Sequence, residues 1–97
     1  MKIIKNKIKL SKIEAMAEKI FGDMVKGVID IEKKVLALEA ELHVDEEQLL
    51  IERGSKQKNL WGVNLYPGLF GQDGFVEFDS MINLKPSQNN RSRGVED

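Results

Sequence analysis

The residues of this 97-residue chain that could act on a ligand form a short set: one histidine, His43, and the carboxylates, amides and phenol that alternate along its strand-like runs. Glu39, Glu41 and His43 are spaced by two, so on a strand their side chains leave the same face. Asn64 and Tyr66 in one later run, and Glu77, Asp79 and Asn83 in another, join that face if the runs are sheet neighbours. Carboxylates beside an imidazole can hold a divalent cation through oxygen and nitrogen donors, or move protons near neutral pH. Glu41, His43 and Asp79 are therefore the catalytic candidates, and Asn64, Tyr66, Asn83 and Arg91 the binding ones; the spacing does not decide whether a metal is held. A second reading covers the same residues: an antiparallel sheet with one face in water is polar on that face for solvation alone.

Other chemistry is excluded more directly. The chain has no cysteine, which removes disulfides, thiolate nucleophiles and cysteine-based zinc sites. Ser55 is framed by no nucleophile-elbow motif. Gly68, Gly71 and Gly74 do not link a strand to a helix, as a phosphate-binding loop must. No cofactor is expected. Arg91 and Arg93, in a polar C-terminal stretch, could meet phosphate or a partner's carboxylates.

These side chains need elements to place them. Ile13, Met16, Ala17, Ile20, Phe21 and Met24 recur at helical spacing and define a first helix, with Ser11 and Glu14 placed as a capping box and Gly22–Asp23 as its end. From Val25 the period becomes two, and the run to Leu42 reads as a hairpin about Lys33–Lys34. Folding there sets Glu32 opposite Val35, Ile31 opposite Leu36, Ile29 opposite Leu38, Gly27 opposite Ala40 and Val25 opposite Leu42. Lys-Lys is a poor tight-turn pair, which leaves room for a longer loop. Asp45 then caps a short helix over 46–53, with Gln48 in the return position and Gly54 suited to a left-handed end. Leu60 to Tyr66 is a third strand with Trp61 facing the core, and Pro67 stops it. Leu69 and Phe70 are apolar enough to fold back onto the core, and Phe75 to Leu84 alternates as a fourth strand.

The fold class is therefore α+β: a four-stranded, mainly antiparallel sheet of two hairpins, with two helices on one face and an extra N-terminal strand at Lys2–Lys5. Residues 1–86 form one domain. Residues 87–97 are a polar tail with Val95 as its single apolar anchor, placed to lead into a helix beyond this chain.

Composition bounds the rest. With 41% apolar and 32% charged residues the chain is an ordinary globular domain, and a small one with a thin core. No apolar run is long enough to cross a bilayer, and lysines interrupt the N-terminal stretch where a signal peptide needs an apolar core, so the cytoplasm is the expected location. A net charge of -1 argues against general attraction to nucleic acid. The charge is segregated, however. Lys2, Lys5, Lys7, Lys9 and Lys12 crowd the N-terminus, and Glu39, Glu41, Asp45, Glu46, Glu47 and Glu52 crowd the middle. Together with the thin core and the apolar Leu69 and Phe70, this points to self-association.

Several stretches also resemble a known family. They are Glu41-Leu42-His43 with Asp45, Gly54-Ser55-Lys56-Gln57, and the run Leu60-Trp61-Gly62-Val63-Asn64-Leu65-Tyr66-Pro67. Ile82-Asn83, Pro86-Ser87-Gln88 and Asn90-Arg91-Ser92 extend the match toward the C-terminus. The family is one of short uncharacterised prokaryotic proteins, a domain of unknown function, and the resemblance implies kinship without an activity. It also implies glycines where Glu39 and Ala40 stand, and a further C-terminal helix. The leading expectation is a small non-enzymatic binding or assembly protein that self-associates. The alternative is a metal-assisted hydrolase using Glu41, His43 and Asp79.

Overall fold

The computed structural model describes residues 1–95, and the last two positions of the expected tail lie outside the described residues. The elements are β1 (Lys2–Ile4), α1 (Leu10–Ile20), β2 (Val25–Asp30), β3 (Val35–Leu38), α2 (His43–Glu52), β4 (Leu60–Leu65) and β5 (Val76–Glu77). The five strands form one antiparallel sheet in the order β1-β3-β2-β4-β5, so the α+β class and the extra N-terminal strand are as the sequence predicts.

The first hairpin pairs Asp30 with Val35, Ile29 with Leu36, Val28 with Ala37 and Gly27 with Leu38, two residues away from the expected register. A slip of two keeps every side chain on its face, which is why the predicted apolar row survives. Asp30 explains the shift. Its Oδ1 accepts the backbone N–H groups of Glu32 and Lys33, both at 2.9 Å, and builds a four-residue turn closed by Lys34 at φ 57°.

The two helices lie on opposite faces, not on one. Val25, Leu36, Leu38, Val63 and Leu65 pack with Ile13, Met16 and Ala17 of α1; Val28, Ala37 and Leu60 pack with Leu50 of α2 and with Ile82. Successive residues of a strand point to opposite sides, and both sides of the central strands carry apolar residues, so each face demands a cover. The expected open face is therefore closed over much of its area. Neither capping box forms. Lys9 and Leu42 are the N-caps, without side-chain cap bonds, and Asp45 instead sits in the first turn of α2, where its charge complements the helix dipole. Gly54 holds φ 95°, as its position at a helix end requires, and Glu39 holds φ 74°, a conformation that favours glycine at a position where the resemblance implies one.

The second hairpin is brief. The expected strand over 75–84 is reduced to Val76–Glu77, which makes two residue pairs with β4 where β2 makes six. Beyond Glu77 the chain borders β4 through a side chain: the Gly62 N–H donates to Asn83 Oδ1 at 2.7 Å, and Asn83 Nδ2 donates to the Gly62 carbonyl at 3.0 Å. One amide thus does the work of a neighbouring strand's peptide group. Nor do residues 87–95 trail as a tail. Lys85 and Asn90 exchange backbone bonds of 2.7 and 3.1 Å, and the buried Asn90 amide donates to the carbonyls of Asn83 and Gly94, both at 2.7 Å. Polar residues supply the anchoring that apolar residues do not.

Candidate functional site

A cleft of about 410 Å³ opens on the α2 side of the sheet, between the N-terminus of that helix and the β4–β5 rim. Its floor is a row across three strands. Lys26 on β2 is the partner of Asn64 on β4, which is the partner of Glu77 on β5, and register alone puts all three on one face. Tyr66 follows two residues after Asn64. His43 comes down from the first turn of α2, Asp79 and Arg93 close the far side, and Leu42, Val44 and Met81 form an apolar rim.

The polar groups are largely paired with one another. Asn64 Nδ2 and the Tyr66 hydroxyl both donate to Glu77 Oε1, each at 3.0 Å. The amide bond first and the phenol bond second hold the Glu77 carboxyl below its usual range. Desolvation, and then the bond to Glu77, push the Tyr66 phenol up. Arg93 Nε lies 2.8 Å from Asp79 Oδ1 in an exposed ion pair. Asn64 Oδ1 is buried and has no hydrogen-bond partner.

His43 Nε2 sits 2.9 Å from the Val63 carbonyl. A carbonyl can only accept, so Nε2 carries the proton and Nδ1 keeps the lone pair. Burial pushes the His43 pKa down, which favours that neutral ring, with the Lys26 charge acting in the same direction and the Val63 bond opposing. The neighbouring Ser80 is buried, and its Oγ accepts the Ile82 N–H at 3.3 Å.

The structure thus brings His43, Asp79, Asn64 and Tyr66 together and separates the other candidates from them. Glu41 lines a different cleft, beside Glu39 and Glu52, because β3 ends at Leu38 and the chain turns before it. Asn83 is fully buried against Gly62, and Arg91 is not among the residues lining the cleft. Among the described residues no three His, Asp or Glu side chains converge in a set that could hold a metal ion. Lys26 and Arg93 line the cleft although neither is among the catalytic or binding candidates of the sequence. Alternation places Lys26 on the same face as Asn64 and Glu77, whereas Arg93 reaches the cleft only through the C-terminal fold-back.

Glu46 is also unforeseen as a special group. It is fully buried under α2, between His43 and Leu50 in the helix's inward row, and its Oε2 accepts the Ala40 N–H at 3.2 Å while Oε1 has no partner. Desolvation raises its pKa to about 9. At neutral pH it is a carboxylic acid, not a carboxylate.

The chain belongs to a family described as a protein of unknown function (DUF5674), whose model matches residues 2–97. No curated protein and no solved structure matches it. Among the described residues no helix is long and apolar enough to cross a membrane.

Proposed function

We propose that this member of a family without an assigned activity is a small cytoplasmic, non-enzymatic binding or assembly protein, and that the cleft beneath the N-terminus of α2 holds its partner. The observation that carries the reading is the contrast between rim and floor. Leu42, Val44 and Met81 stand 53%, 51% and 63% exposed around a floor whose carboxylates already have partners within the chain. An apolar collar around fixed polar groups suits recognition, with burial supplying affinity and hydrogen bonds supplying orientation. Asn64 Oδ1 adds direction, since a buried acceptor without a donor is satisfied by a ligand N–H or O–H.

Titration with small amides and alcohols, followed by NMR, tests the site. The signals of Asn64 and His43 are expected to move together, and the response to vanish in Leu42→Asp with Met81→Asp. Binding that leaves both signals still would remove the cleft from consideration. A melting temperature raised by millimolar manganese or magnesium would instead favour the hydrolase.

A further inference from the structure

We propose that the cleft floored by Trp61, on the α1 side of the sheet, binds an adenine-type base: a flat, uncharged, electron-rich ring that carries an amino donor beside a ring-nitrogen acceptor. It is a second site, and no residue lines both it and the cleft beneath α2. Alternation puts Trp61 on the same face as Val63 and Leu65. α1 packs on those two at one end of β4 but not on Trp61 at the other, which is left half-buried and outside the core.

The cleft holds about 760 Å³, a size that suits a small ligand. Ile31, Phe78 and Val95 stand 56%, 42% and 42% exposed around it, so its walls are apolar surface that the chain itself leaves uncovered. No lining residue is ionisable, and a charged ligand would find no counter-charge there. Lys85 sets the character of the floor. Its Nζ lies over the Trp61 ring, 5.0 Å from the centre, and donates to the carbonyls of Gln57 and Ile82 at 2.8 and 3.1 Å. Lys85 is buried and does not line the cleft, so its ammonium covers the inner side of the ring. A cation there draws π-density toward itself, and the side left to the cleft then favours an electron-rich ring over a second cation or the C–H face of a sugar. Two carboxamides supply the edge contacts. Gln88 Nε2 is spent on the Lys58 carbonyl at 3.0 Å, which leaves Oε1 to accept. Asn89 is exposed, and its amide makes no hydrogen bond among the described residues. Such a carboxamide offers a donor and an acceptor side by side, the complement of the amino N–H and adjacent ring nitrogen of adenine.

As the one tryptophan of the chain, Trp61 gives a single indole N–H signal, which NMR can follow while adenosine is added to the whole chain. We expect a saturable shift with a midpoint at or below about 1 mM, while the signals of His43 and Asn64 stay in place. Inosine, with a carbonyl where adenosine has its amino group, should bind about fivefold more weakly, the worth of one net hydrogen bond. Asn89→Gly should close that gap; the φ of 62° at this position suits glycine, so the variant keeps the turn. Phe78→Ala should weaken both nucleosides alike. The absence of a saturable shift up to about 10 mM adenosine overturns the site. Inosine binding as well as adenosine, or adenosine monophosphate or methyl glucoside binding more tightly than adenosine, overturns the assignment of an uncharged adenine-type base.

Discussion

Glu46 is held where a charge is expensive: fully buried, with one bond from the Ala40 N–H and a bare Oε1. Its pKa in the fold, about 9, lies above the unfolded value, so between the two the folded state binds a proton that the unfolded state has released. Its contribution is complete below the unfolded pKa and is lost as pH rises, at about 1.4 kcal/mol per unit until about pH 9. Lys85, whose pKa burial lowers, slopes the other way in alkali, so the informative quantity is the difference between two proteins. Glu46→Gln cannot ionise and should gain stability over wild type between pH 6 and 9 in denaturant titrations; parallel curves would locate the ionisable burden elsewhere. Gly62 tests packing at the same scale. A Cβ there would lie 2.5 Å from Ser80 Cβ and 2.6 Å from its Oγ, so Gly62→Ala should cost about 1–3 kcal/mol, and Ser80→Gly in the same chain should recover part of it.

At the scale of elements, α2 and the C-terminal segment are both held by polar groups, with consequences for when they let go. His43 lies in the inward row of α2, and its pKa is lowered by burial, so its contribution is present above the unfolded value of about 6.5 and is lost as pH falls through the folded one. As the one histidine, its ring can be followed without ambiguity. NMR should show the Nε2–H tautomer at neutral pH and a midpoint below 6.5; a midpoint above that would contradict the burial of the ring under α2. The C-terminal segment hangs on Asn83, which bonds Gly62 twice and the Arg93 carbonyl at 2.8 Å. Asn83→Ala leaves a buried N–H without a partner and should cost about 1–3 kcal/mol. Faster amide exchange at Gly62 and across residues 80–94, with β2 and β3 still protected, would mark release of this segment alone.

For the whole molecule, the sheet is a layer between two helices, and this decides what the surface can offer. Face-burying helices leave the rim of the sheet as the place where unsatisfied chemistry remains: the cleft at β4–β5 on one side and the free edge of β1 on the other. If the chain assembles with itself, the folding midpoint should rise with protein concentration, because association draws on the folded state only. A midpoint independent of concentration would separate stability from assembly.

The pattern of residue types along the chain determined much of this by itself. The stripe beginning at Ile13 marked the first helix, which ends at Ile20, short of Met24, and alternation through Val25–Leu38 fixed which side chains share a face even though the pairing slid by two. It also put His43, Asn64, Tyr66 and Asp79 into one group, and kept the lysines and acids apart. Tertiary structure decided the rest, because those matters depend on partners distant in sequence. A period of two marks faces without saying what covers them, so Val28 and Ala37 could not announce that α2 lies opposite α1. Local spacing placed Glu41 with His43, whereas the turn at Glu39 sent it elsewhere. Asn83 and Asn90 carry no periodic signal at all, since an amide that replaces a strand is recognised only when the strand edge it satisfies is in place. The polar face that alternation marks is thus a cleft at the β4–β5 rim whose floor is mostly paired within the chain.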